Sequence, residues 1–428
     1  MTQTATVARR PLVKYAPDEL IVSLEHKTRV SDVLNHFEIP WSEVESSPLL
    51  DLALMQVSAG DEHVASLISY VQGSAAAAEW RKHSPLSTGA EPLDQVLWGL
   101  RGVFAEHYAG WSPSIGKNRF VGKVHGVGEV NHGGGGDPRA VEDGVPFAGR
   151  ADSPGRGVRV GVLDTEIYPH PWITGGWVAP FDQTITGGEP APYAQGHATF
   201  VTGLILSQAP GATVEVRGVL DEEGKADSWS VAKAIVDIGR TGLDILNLSF
   251  VCYTEDGQPP MVLAAAIDRL DPETVVVAAA GNHGEAAEAG DPYDEADARQ
   301  AGWPAALDDV VAVGAVDKSG TPAPFTPDAP WVDMVALGVD VPSTYLPNAH
   351  EPGAANGDTF KDAYAAWSGT SFAAALVSGA LAAETVPGHV PARTALQRLT
   401  KRVKPSAQVP VFASATASPL AARFSPAP

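Results

Sequence analysis

Ala363–Thr385, AYAAWSGTSFAAALVSGALAAET, decides how the rest of the 428-residue chain is read. It opens on Ser368-Gly369-Thr370-Ser371 and runs into a helical segment of mostly small residues, Phe372 to Ala383. A helix with so little bulk can be approached closely from every side, so it reads as buried. Its first turn therefore points into the protein. Backbone N–H groups at a helix N-terminus are unpaired and carry positive partial charge, which suits a developing oxyanion. Ser371 is the candidate nucleophile.

A serine hydroxyl needs a base, usually His, oriented by a carboxylate. Gly157 to Leu163, GVRVGVL, is a short apolar run with β-branched residues, the pattern of a buried parallel strand, and it ends in Asp164-Thr165. The carboxylate thus falls at the carboxyl edge of a strand, where open α/β sheets build their sites. Gly196-His197-Ala198 then opens a helix with Phe200/Leu204 and Val201/Ile205 at i, i+4 spacing, so His197 lies in a first turn.

The chain order Asp164, His197, Ser371, in these local settings, resembles the subtilisin-like serine peptidases (subtilases, peptidase S8). Val275 to Asn282, VVVAAAGN, is similar to that family's strand ending in the oxyanion-hole Asn, which implies a side-chain amide donor at Asn282. Asp244-Ile-Leu-Asn-Leu-Ser249 resembles its substrate-pairing strand. Trp303-Pro-Ala with Val310 to Val316, and Val332 to Gly338, resemble the segments that follow in the family. The likeness covers roughly residues 155 to 400, one large domain. It implies a three-layer α/β sandwich with a mainly parallel sheet, and substrate lying extended along Leu248, Ser249 and Phe250, beside Gly281 and near a second edge at 219–224.

The pattern departs from the family at three points. Glu166 stands where Gly usually follows Asp-Thr, Ala198 where Gly follows His, and Ala375 where Pro lies four residues past the nucleophile. These leave open a catalytically inactive peptide-binding module of the same fold, a Ser-Glu-Asp peptidase using Glu166, and a ligase or maturation peptidase for one partner peptide. Phe250, Val251 and Cys252 replace the glycines common after the matching Ser, which predicts a narrow first specificity pocket and small P1 residues. Equal cleavage after Phe and Ala in a peptide library argues against it.

Lys and Arg total 29 against 51 Asp and Glu, a formal charge of -22, which disfavours nucleic acid as a partner. With 44% apolar residues the chain can bury a large core. One cysteine, Cys252, excludes an internal disulfide and fits a reducing compartment; it reads as a small buried side chain. No stretch reaches transmembrane length and the N-terminus lacks an apolar signal core, so the expectation is a cytoplasmic protein without a membrane partner. His283 reads as exposed loop. The histidines show no HExxH spacing, so no metal site is predicted and the reaction requires no cofactor. The acidic loops 221–223 and 285–297 read as solvated surface, with Ca2+ conceivable only as a structural ion.

Residues 18–75 carry a strand at Glu19–Leu24, a helix stripe Val30/Val33/Leu34/Phe37, a strand at Leu52–Val57 and a helix stripe Val64/Leu67/Ile68/Val71. This small α+β unit ahead of the peptidase-like region is similar to the inhibitory propeptides of the family. The resemblance implies a self-processing zymogen whose N-terminal region is an intramolecular inhibitor; an accessory domain that is never removed is the alternative. Residues 1–17 read as an extension, and 76–154 as an amphipathic helix (Leu93/Val96/Leu97/Leu100/Phe104) plus a Gly/Pro-rich linker where self-cleavage is expected. Residues 155–403 form the peptidase-like domain and 404–428 an Ala/Pro-rich tail.

Overall fold

The computed structural model describes residues 15–58, 61–123, 136–141, 154–186, 190–284, 298–350, 358–402, 404–405 and 410–411. The acidic stretch 285–297, half of the expected cleavage span and most of the tail lie outside these. The chain divides into two units, Met1–Phe120 and Val121–Pro428.

In the first unit, the strand Tyr15–Ser23 pairs antiparallel on both sides, with Leu52–Val57 (Leu20 opposite Met55) and with the start of Ile115–Lys123 (Val22 opposite Ile115). Trp41–Ser47 adds an edge beyond Leu52–Val57. That edge strand escapes a periodicity reading because WSEVESS is mostly exposed and offers no apolar face. Helices Lys27–His36, Asp61–Gly73 and Pro92–His107 supply Val30, Leu34, Leu67, Val71, Val96 and Leu100 to one core with Leu20, Val22 and Met55. Two helices meet at glycines, since a Cβ on Gly99 or Gly102 would come within 2.4 Å of Leu67 Cγ or Val71 Cγ1. The helix expected in the 76–154 span thus belongs to this core. The strand beginning at Ile115 lies inside the stretch read as linker; IGKNRFVGK lacks a run of apolar residues, and its place is set by pairing with Tyr15–Ser23.

The second unit holds a nine-stranded sheet, in spatial order 404–405, 410–411, Met334–Leu337, Val310–Val316, Val275–Ala279, Ile245–Leu248, Arg159–Asp164, Thr213–Gly218 and Trp177–Val178. All pairings are parallel except that of the first two strands. From Arg159–Asp164 the chain moves outward to Thr213–Gly218, then returns to lay Ile245–Leu248 on the other side. The reversal opens a crevice at the carboxyl ends of these central strands, beyond Asp164 and Leu248. Alternation along Arg159–Asp164 sends Val160 and Val162 into a core with the helices His197–Gln208 and Thr370–Glu384. Gly161 faces the other way, where a Cβ would meet Leu243 and Ile238, the latter on the helix Ser228–Gly239.

Thr370 to Ala382 are all buried, as the small-residue composition requires. The helix crosses His197–Gln208 at Gly379, where a Cβ would sit 2.8 Å from the Ile205 carbonyl oxygen and 3.0 Å from Ile205 Cα. Backbone cannot yield as a flexible side chain can. Gly379→Ala is therefore expected to destabilise by about 1 to 3 kcal/mol, although Ala is the better helix former by about 1 kcal/mol. Denaturant unfolding checks this, and an unchanged midpoint contradicts it. No helix among the described residues is long and apolar enough to cross a membrane.

Candidate active site

Asp164 is fully buried at the end of its strand, and its backbone carbonyl is fixed by the N–H groups of Val219 (2.8 Å) and Leu220 (3.0 Å). Its carboxylate accepts from Thr165 N at 2.7 Å and lies 2.8 and 2.9 Å from His197 Nδ1. Thr165 Oγ1 also accepts from Ala198 N at 3.2 Å, so the strand end is locked to the helix start. With Nδ1 donating to the carboxylate, the neutral imidazole keeps its lone pair on Nε2. Nε2 is buried and has no hydrogen-bond partner among the described residues. A buried acceptor without a partner is costly, and such a group poised in a crevice marks a site for incoming chemistry.

The imidazole is framed by aromatic rings, with Trp367 at 5.6 Å edge-on and Phe372 at 5.5 Å. Phe372 is the residue after Ser371, so the first turn of the buried helix is carried to the histidine. Ser371 Oγ donates to the Ser249 carbonyl at 3.4 Å, and Ser249 Oγ donates to the Ser371 carbonyl at 3.4 Å. Ser249 is in turn bound by Asn247 Nδ2 at 2.9 Å, and Ser378 Oγ donates to Asn247 Oδ1 at 3.0 Å. The hydroxyl of Ser371 is thus turned toward the strand end, and rotation about its Cα–Cβ bond is what redirects it.

Asn282 follows Val275–Ala279 and Gly281, whose φ of +106° and whose hydrogen in place of a Cβ are both required, since a Cβ would strike His283 Nδ1 at 2.7 Å. Thr370 sets the amide orientation. Its N–H (3.0 Å) and Oγ1–H (3.1 Å) both donate to Asn282 Oδ1, while Oγ1 accepts from Gly281 N at 3.1 Å. The donor end, Nδ2, is thereby turned to the Gly369 side, where a Cβ would lie 3.4 Å away. Thr165 and Thr370 carry this geometry. Neither was singled out in the sequence, although each adjoins a residue that was.

Leu248, Ser249 and Phe250 are fully buried, and Phe250 and Val251 pair antiparallel with Lys123 and Gly122. Glu166 is half-buried against Gly218, where a Cβ would meet its Cγ at 3.1 Å; the carboxylate bound to His197 is that of Asp164. Cys252 is buried, and its backbone pairs with Trp303. His283 is not the exposed loop residue that the sequence suggests. It is 5% exposed, with Nδ1 2.7 Å from Tyr253 Oη and Nε2 2.9 Å from the Gln300 carbonyl, partners too distant in sequence to be foreseen. The 221–223 loop is exposed, and Asp221 Oδ1 accepts from Glu223 N and Lys225 N. Among the described residues no group of three or more His, Cys, Asp or Glu is placed to hold a metal.

Residues 155–399 match the model of the Subtilase family, peptidase S8. The chain belongs to the subtilase family. It is 29% identical over 260 residues to a thermophilic serine proteinase from Bacillus sp. (strain AK1), and 32% identical over 251 residues to Subtilisin BL from Lederbergia lenta. These alignments span 58% and 56% of this chain, and 57% and 80% of the two relatives, so this subtilase spans little more than half of the first relative's length. A solved lanthipeptide protease is similar at 26% identity and a TM-score of 0.45, over 57% of this chain and 80% of that one.

Proposed function

We propose that this subtilase is a serine endopeptidase that hydrolyses peptides or proteins through an acyl-enzyme. The observation that carries the reading is the buried Asp164–His197 pair, which leaves Nε2 without a partner among the described residues, beside the helix turn bearing Ser371. In the reaction, His197 Nε2 takes the Ser371 proton as Oγ attacks the peptide carbonyl, and Asp164 holds the imidazolium without itself being protonated. Asn282 Nδ2 and Ser371 N donate to the tetrahedral oxyanion. His197 then protonates the leaving amine, and water releases the acyl group by the same steps reversed. Side chains alone supply this chemistry, so no cofactor is required, and Ca2+ would serve only a structural part.

The chain is read further as a self-processing zymogen whose N-terminal region is its own inhibitor. Two stretches support this. Gly122 and Lys123 lie antiparallel to Val251 and Phe250, and Arg139 and Ala140 lie antiparallel to Ala366 and Ala365, so strands bordering the site are paired on either side of 124–135. Self-cleavage is expected within that span. Incubation with a fluorophosphonate probe, and intact-mass measurement beside Ser371→Ala, test both parts. The expected result is labelling and a shortened wild-type chain, with neither in the variant. Labelling that survives in Ser371→Ala overturns the endopeptidase reading, and a full-length wild type that labels overturns self-processing alone.

A further inference from the structure

His170 is a buried titratable group that the proposed reaction does not use. It is 2% exposed, and both ring nitrogens are bound. Nδ1 accepts from Trp172 N at 3.1 Å, and Nε2 lies 3.1 Å from the Asp362 carbonyl. Because a carbonyl can only accept and an amide N–H can only donate, these bonds require the neutral Nε2–H tautomer. A proton on Nδ1 would face the Trp172 N–H, so the cation cannot keep both.

The carbonyl it grips belongs to an unusual turn. Asp362 and Ala363 both lie in the left-handed region, at φ +54° and +58°, where residues other than glycine are strained. That turn launches the strand Tyr364–Trp367, which pairs with Val341–Thr344, and Ala363 O also accepts from Tyr345 N at 2.6 Å. The two strands hold the site from both sides. Ser343 and Thr344 side chains donate to the Phe200 and Thr199 carbonyls in the first turns of the His197 helix, at 2.7 and 2.8 Å. Trp367 stands edge-on to the His197 ring, four residues before Ser371.

We propose that His170 is a positioning residue whose neutral imidazole clamps the Asp362–Ala363 turn, and through it the alignment of His197 with Ser371, and that protonation releases the clamp. This rests on the serine-peptidase reading. The charged and titratable groups facing His170 are Asp362 on the turn, Tyr364 on the strand (ring centroids 4.8 Å) and Tyr168 on its own segment (6.4 Å). Burial lowers the His170 pKa from its ordinary 6.5, and the Asp362 and Ala363 contacts only partly oppose this. The clamp's contribution is therefore complete above about pH 6.5 and is lost as pH falls through the lower folded value.

Fluorophosphonate labelling rates across pH, for wild type, His170→Ala and His170→Gln, test the inference, since Gln can both donate to Asp362 O and accept from Trp172 N. Loss of the clamp is expected to slow labelling about tenfold in His170→Ala at pH 8, with His170→Gln restoring most of the rate. The wild-type acid limb should be steeper than that of His170→Gln, because only in wild type does the clamp itself take up a proton. Equal rates and equal slopes in all three proteins overturn the proposal, as does an equal loss in both variants that tracks only their melting temperature. If His170→Ala does not fold, the slope of His170→Gln against wild type still decides. If wild type itself does not label, the peptidase reading has failed, and hydrogen exchange over 358–368 judges the clamp: faster exchange in His170→Ala than in His170→Gln supports it, and equal protection sinks it.

Discussion

His197→Ala is expected to lower peptide hydrolysis by roughly a million-fold, about as much as Ser371→Ala. Without the imidazole the Ser371 hydroxyl keeps only a carbonyl oxygen, that of Ser249 at 3.4 Å, among the described residues, and a carbonyl is no base for its proton. The two losses should not add, since each removes the same proton-transfer unit. Asp164→Asn should cost roughly ten-thousand-fold, because an amide at that position no longer favours the Nδ1–H tautomer or the imidazolium. Glu166→Gln should leave turnover close to wild type, since Glu166 packs against Gly218 rather than His197. Progress curves on a chromogenic peptide, with Ser371→Ala as the background, check the series. Turnover that survives in His197→Ala but vanishes in Glu166→Gln would transfer the base to the glutamate.

The candidate site was legible in the sequence where side-chain chemistry and secondary structure coincide. An apolar strand that stops at Asp164 and a helix that starts at His197 are local signals, and the buried state of Thr370–Glu384 follows from its small side chains. What the sequence hid depends on contacts between remote segments. Trp41–Ser47 is a strand only because Leu52–Val57 pairs with it, and Ile115–Lys123 only because Tyr15–Ser23 does. His283 is buried because Tyr253 and the Gln300 carbonyl reach its two nitrogens. The strand Tyr364–Trp367 is too short for any periodicity, yet it brings Trp367 to the His197 ring. Thr370 is the sharpest case, an ordinary residue beside Ser371 whose role appears only when the Asn282 side chain arrives from 88 residues earlier.

That arrangement predicts how the oxyanion donor responds to substitution. Asn282→Ala is expected to lower kcat roughly 100 to 1,000-fold with little change in KM, because Nδ2 is placed to donate to charge that exists only in the transition state. The same substitution strands the Thr370 N–H, a buried donor that Asn282 Oδ1 accepts at 3.0 Å, so a fall in stability of about 1 to 3 kcal/mol should accompany it. Asn282→Asp separates the two effects: it keeps an acceptor for Thr370 N and Oγ1 while removing the donor and adding repulsion toward the oxyanion. Its stability should lie nearer wild type, and its kcat should fall at least as far. Thr370→Val removes the hydroxyl that bridges Gly281 N and Asn282 Oδ1 and leaves the amide freer to turn; about tenfold in kcat is expected. Combined with Asn282→Ala it should add almost nothing to the loss in kcat, because the threonine acts on the oxyanion through the amide it orients. Steady-state kinetics with thermal unfolding on the four variants decide the point. An additive loss in the double variant would mean that Thr370 reaches the oxyanion independently of Asn282.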